Sequence, residues 1–182
     1  TWTQDEENDL YVAGNIDVYS GATITVARSS TTGNGSGQSI RVDGNLTVYG
    51  VPNTETGTIT AKGQGFDVTA SGPGDGVYGL GGVHGGTANI SSQIEKATYG
   101  SFTDPTSLGS KGFDSSCPED ADVAGGGAII FYVAGTMKIN GRLDSDGNFV
   151  DPCSAGAGAG AGGSLNITAA TLTGSGLISA NG

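Results

Sequence analysis

The chain is poor in the residues that most often carry chemistry. It has one His, one Met, one Trp, two Cys and only seven Lys plus Arg against eighteen Asp plus Glu, a net charge of -11. So few cations give no electrostatic footprint for nucleic acid, and the acidic excess is repelled by anionic membrane surfaces. No apolar run approaches the roughly 20 residues of a membrane-spanning helix, and no signal peptide is recognisable. The 182 residues suit one domain. What the chain has in excess is glycine, 35 residues, far above the roughly 7% of ordinary proteins. There is no Gly-X-Y period, which excludes collagen, and the interspersed β-branched runs argue against simple disorder.

A seven-residue phrase recurs: Gly57–Gly63, Gly141–Gly147 and Gly176–Gly182, with a looser copy at Gly21–Ala27. Upstream of each lies an alternating apolar run. Superposing Gly14, Gly44 and Gly135 aligns Leu10, Val12, Ile16 and Val18 with Ile40, Val42, Leu46 and Val48, and with Phe131, Val133, Met137 and Ile139. Period-two alternation marks strands with one buried face. A fourth unit has Leu165, Ile167 and Leu172, with one extra residue between the second and third apolar positions that a bulge could absorb. Units that cannot bury an apolar face alone do so by stacking. The expected fold is all-β: a parallel, right-handed β-solenoid of about four coils with a large Gly-rich insertion. An antiparallel sandwich also uses many short strands, but has no need for copies that match in register. Residues 1–9 read as a lead-in or linker and 10–182 as a single domain with insertions at 64–127 and 148–163. An insertion that long is usually functional or packs as a subdomain. The tract Gly156–Gly163 either stays flexible or packs where backbones come very close.

Cys117 and Cys153 lie in Pro-adjacent loop segments and are expected to form a disulfide stapling the two insertions, worth about 3–4 kcal/mol in the chain-entropy model. N-glycosylation triplets begin at Asn34, Asn45, Asn89 and Asn166. With the Cys pair and the low Lys content they point to a secreted, extracellular product. The chain opens at Thr1 without Met and closes on its own repeat phrase, so a neighbouring domain or a second copy is expected to abut the last unit.

The candidate sites have bland readings beside the sharp ones. His84, set between glycines, reads as a packed imidazole in a tight turn, because no partner for acid–base or nucleophilic work is recognisable. Asp144, Asp146, Asn148 and Asp151 have the alternating oxygens and Gly turn of a calcium loop, yet the twelfth position is Ala155 rather than Glu; a polar turn explains them equally. Asp67, Asp75, Asp114, Glu119, Asp120 and Asp122 invite comparison with β-helical polysaccharide lyases and hydrolases. Glycoside cleavage needs paired carboxyl groups at fixed separation, and lyases need a basic residue that this chain scarcely offers. Thr23/Thr25, Thr58/Thr60 and Thr171/Thr173 would suit an ice-binding ladder if unbroken, but Arg142 and Asp144 interrupt it, and β-propensity accounts for them.

The order Gly81-Gly82-Val83-His84-Gly85-Gly86, Tyr99-Gly100-Ser101, Leu108–Gly112, Gly125–Ile129, Gly135-Thr136-Met137 and Leu177–Gly182 resembles large glycine-rich cell-surface proteins of plants, protists and bacteria, over roughly residues 40–182. That resemblance implies an extracellular β-solenoid segment with a structural or adhesive role and brings no catalytic residues. Self-association, neighbouring domains of the same protein and cell-surface polysaccharide are the partners expected. A carbohydrate-binding or carbohydrate-cleaving β-helix is the alternative.

Overall fold

The computed structural model describes residues 2–4, 9–28, 37–51, 56–67, 69–77, 80–87, 97–113, 123–149 and 158–182. The architecture is all-β with parallel sheets, one of them strongly curled into a half-barrel. The strands are β1 (Trp2–Gln4), β2 (Leu10–Val12), β3 (Ile16–Val18), β4 (Thr23–Val26), β5 (Gln38–Val42), β6 (Leu46–Val48), β7 (Thr58–Thr60), β8 (Ala128–Ile139), β9 (Arg142–Asp144), β10 (Ser164–Thr173) and β11 (Leu177–Ser179). One sheet runs β1-β4-β7-β9-β11. In the other, β5 pairs with the first half of β8 and β6 with its second half, β2 pairs with β5 and β3 with β6 on their far sides, and β10 lies along β8 on its other edge.

The pairing is that of the superposed glycines. Leu10 stands opposite Ile40 and Ile40 opposite Phe131; Ile16 meets Leu46 and Leu46 meets Met137. Alternate residues share a face in a strand, so equivalent positions form apolar columns perpendicular to the strands. Ile40, Val42, Leu46, Val48, Phe131, Val133, Met137, Ile139, Ile59 and Leu143 are all buried in one cluster. Each such side chain contributes about 1.5–3 kcal/mol relative to exposure. At the corners after Gly14 and Gly44 a side-chain amide continues the ladder. Asn15 Oδ1 accepts from the Asn45 amide at 2.8 Å, and Asn45 Oδ1 accepts from the Thr136 amide at 2.8 Å.

Two alignments read from the sequence differ. The looser copy is offset by one residue: Thr23, not Ala22, stands opposite Thr58. In the fourth unit Leu165 meets Ile129, Ile167 meets Phe131, Ala169 meets Val133 and Leu172 meets Met137. The register shift lies between Ala169 and Thr171, and the extra residue belongs to β8, beside Gly135, rather than to β10. Ala169 hid this, since an alanine does not register as an apolar landmark.

The glycine-rich segments outside the strands are also ordered by backbone pairing. The stretch 108–113 bonds to several neighbours at once: Phe66 N donates to Gly109 O at 2.9 Å, Gly109 N to Gly126 O at 2.8 Å, Ala161 N to Ser110 O at 2.8 Å and Phe113 N to Leu80 O at 3.0 Å. A strand has two lateral neighbours, and this segment has four. Such packing needs bare α-carbons. A Cβ on Gly126 would sit 1.9 Å from Ser145 O, and one on Gly112 would sit 1.8 Å from Gly158 O. The described parts of the insertions therefore form a hydrogen-bonded, glycine-rich bundle beside the apolar columns, and 158–163 packs at close backbone approach.

Candidate functional site: a glycine-walled groove

The one His lies where the bundle meets the start of β10. His84 is 8% exposed, and its Nδ1 lies 2.9 Å from Gly162 O. A carbonyl can only accept, so Nδ1 carries a proton and donates it to Gly162 O. Tyr99 packs on the imidazole with ring centroids 4.8 Å apart, and its amide donates to His84 O at 3.0 Å. The Tyr99 hydroxyl turns inward, donating to Leu108 O at 2.6 Å with the buried Ser110 Oγ 2.7 Å away. Burial pushes the Tyr99 phenol up to about 12; the Ser110 hydrogen bond works against that rise and the Asp75 charge adds to it. Gly100 must be glycine twice over, with φ at +93° and a Cβ position 2.7 Å from His84 Nε2.

These residues line a groove of about 790 Å³. One wall is backbone, from Gly81–Gly82 and Gly160–Gly163; the other is the 98–105 loop with Phe102 at its lip, 98% exposed. Ser164 Oγ donates to Ser107 O at 2.7 Å, and Asn166 Nδ2 donates to Asp104 Oδ1 at 3.1 Å. The loop is thereby pinned across the first half of β10. Alternating glycines gave no period from which a groove could be read. The signal that was present is the single His within a Gly-Gly frame.

The acidic candidates are placed differently. Arg142 donates through Nε to Asp144 and through Nη2 to Asp146 Oδ2 at 3.0 Å. Thr60 Oγ1 donates to Asp144 Oδ1 at 2.6 Å, and Ser179 Oγ and the Asn181 amide donate to Asp146 at 3.1 and 2.7 Å. The oxygens that a calcium loop would turn to a cation are occupied by an arginine and three neutral donors. Asn148 is joined through its backbone to Ala124 and Gly160, and Asp151 lies outside the described residues. Among the described residues no group of three or more His, Cys, Asp or Glu is placed to hold a metal.

Of the other carboxylates, Asp67 is bonded by Arg28 and Thr69, and Asp75 accepts from the Gly72 amide at 2.9 Å. Burial raises the Asp67 carboxyl, but the Thr69 and Arg28 bonds outweigh it and hold it below the usual range. Neither residue lines the groove. Asp114, Glu119, Asp120 and Asp122 lie outside the described residues, as do Cys117, Cys153, Asn34 and Asn89. Asn45 is exposed at its corner, and Asn166 is half-buried. Thr23 and Thr25 stand in register with Thr58 and Thr60, after which the rank passes to Arg142 and Asp144; Thr171 and Thr173 lie in the other sheet. No helix of the described residues is long and apolar enough to cross a membrane. No protein-family model, curated protein or solved structure matches the chain.

Proposed function

We propose that this chain is an extracellular structural module, a parallel β-solenoid that assembles edge to edge with a further β-rich unit. The observation that carries this reading is where the apolar columns stop. The column Ile24, Ile59, Leu143 ends on Ile178, and the column Ile16, Leu46, Met137 ends on Leu172. Ile59, Leu46, Met137 and Leu143 are buried, whereas Leu172 is 52% and Ile178 41% exposed. Among the described residues the far edges of their strands are unpaired, since there β11 pairs only with β9 and β10 only with β8. An edge that presents free backbone groups beside apolar side chains is a template for another strand. Among the described residues the insertion meets β10 at its start, through Ser107 and Asp104.

An extracellular setting is supported by the four glycosylation triplets and by the cysteine pair in a lysine-poor chain. Self-association follows as the mode of action, with stacked ladders transmitting load through backbone hydrogen bonds. Sedimentation velocity over a concentration series tests the reading. Wild type should form concentration-dependent oligomers and the Leu172→Lys, Ile178→Lys double variant should sediment as a monomer. A wild type that is monomeric at its highest soluble concentration overturns assembly through a second copy.

A further inference from the structure

We infer that Tyr19 and Tyr49 form a site of oxidative cross-linking, at which a one-electron oxidant, a peroxidase with hydrogen peroxide, joins the two rings as dityrosine and staples the first unit to the second. The inference is independent of edge assembly. Val18 and Val48 point inward and are buried, so by period-two alternation the residue after each faces outward. Val18 stands opposite Val48 in the parallel β3–β6 ladder, and the Tyr49 amide donates to Val18 O at 2.9 Å. The two phenols are therefore set side by side on neighbouring backbones about 4.8 Å apart. Their rings stack with centroids 5.0 Å apart and planes 9° from parallel. They are nonetheless 63% and 39% exposed. An oxidant in solvent meets a pair that is already assembled.

In the reaction each phenol loses one electron and its hydroxyl proton. The two radicals form one carbon–carbon bond between positions ortho to the oxygens, and the hydrogens on those carbons move to the oxygens, restoring both phenols. Two electrons and two protons leave in all, and they convert one hydrogen peroxide to two waters. The bonded rings of such a biaryl have centroids slightly closer than the 5.0 Å of the stack, so turning each ring about its own side-chain bonds reaches the product with the ladder intact. Asp17 supplies a place for a proton. It lies on the same outward face, opposite Thr47. The Tyr49 phenol is raised above its ordinary value first by the Asp17 charge, then by partial burial and a hydrogen bond to that carboxylate. Tyr49 is thus held neutral beside a base, and its electron leaves as its proton passes to Asp17. Other tyrosines of the described residues are placed differently. Arg41 stands on the strand between Tyr11 and Tyr132, Tyr99 turns its hydroxyl inward onto Leu108 O, and the rank of Tyr19 and Tyr49 passes next to Asn140. Position gives the bond its effect. Among the described residues β3 has a ladder partner on one side only, and nearest-neighbour structures open from such ends, so the cross-link ties down a unit that local opening releases.

The full chain, dilute, is treated with a peroxidase and limiting hydrogen peroxide, then deglycosylated and digested with trypsin. Cleavage after Arg28, Arg41 and Lys62 puts Tyr19 in peptide 1–28 and Tyr49 in peptide 42–62. Wild type should gain dityrosine fluorescence in its monomer band. The two peptides should appear joined, two hydrogens lighter than their sum, with fragmentation placing the bond at Tyr19 and Tyr49. Tyr19→Phe and Tyr49→Phe keep the ring stack but lack a phenol, and each should abolish the joined pair, whereas Tyr11→Phe should leave it. Asp17→Asn should slow its formation several-fold; an unchanged rate overturns the part given to that carboxylate. The inference is overturned if the monomer gains no dityrosine, if either phenylalanine variant still joins the two peptides as wild type does, or if cross-links form only between molecules. A chain that never self-associates still makes this bond within one molecule, so the result is separate from that of the sedimentation series.

Discussion

Tyr99 ties the groove to stability. Its phenol is held neutral up to about 12 by burial, with Asp75 adding to the rise, while an unfolded tyrosine ionises at about 10. The sign follows from linkage: the raised group contributes stability that is complete below about pH 10 and is lost as pH rises through about 12. A spectrophotometric titration should therefore include a phenol ionising at about pH 12, and Tyr99→Phe should remove that step. The same variant leaves Leu108 O and Ser110 Oγ without their shared partner and should cost about 1–2 kcal/mol in urea unfolding at neutral pH. At this scale the sequence was half legible. His84 was expected to be a packed imidazole and is packed, but that its Nδ1 meets the carbonyl of Gly162, 78 positions away, is not written in its sequence neighbours. The calcium-like spacing at Asp144 and Asp146 was visible too. What it could not show is that Arg142, two residues upstream, folds back over both carboxylates.

Among elements, the strands and the glycine segments obey opposite rules. In the ladders side chains do the work, and Phe131, fully buried at the centre of its column, should cost about 3–5 kcal/mol when cut to alanine. In the bundle the absence of side chains does it. Gly126→Ala places a methyl against Ser145 O, where backbone on both sides leaves no flexible group to yield. Overpacking typically costs about 1–3 kcal/mol, and this site should reach at least the top of that range. Thermal unfolding of Gly126→Ala beside Gly85→Ala, which meets open space, checks the claim: the first should lower the midpoint by several degrees and the second should leave it within a degree or two. Equal effects would mean that glycine there serves only the unfolded chain. The strand elements were legible because period-two alternation is written in consecutive residues. The bundle was not, because its periodicity is between segments rather than along them.

For the whole molecule, the consequence of parallel stacking is graded protection. Nearest-neighbour architectures lose stability from exposed ends inward. Among the described residues, strands β5, β7, β8 and β9 have ladder partners on both sides, whereas β2, β3 and β11 have one. Hydrogen exchange should find the slowest amides in β8 and faster exchange in β2 and β11. If assembly covers the β10–β11 edge as proposed, protection of β11 should rise with protein concentration while that of β2 stays level or rises in step as the opposing edge.

The sequence by itself determined the register of the first three units, since Gly14, Gly44 and Gly135 each separate the same four apolar positions and a one-residue slip would turn every one of them outward. It also determined the all-β class and the excess of acidic charge. Tertiary structure alone decided which side of the Gly135 corner carries the extra residue, because Ala169 is too small to mark its own column. It decided that Arg142 reaches the carboxylates of both Asp144 and Asp146. And it decided that the backbones around Gly65, Gly109, Gly126 and Ala161 meet as one hydrogen-bonded body, because close approach between distant backbones leaves no pattern along segments built almost wholly of residues with little or no side chain to read.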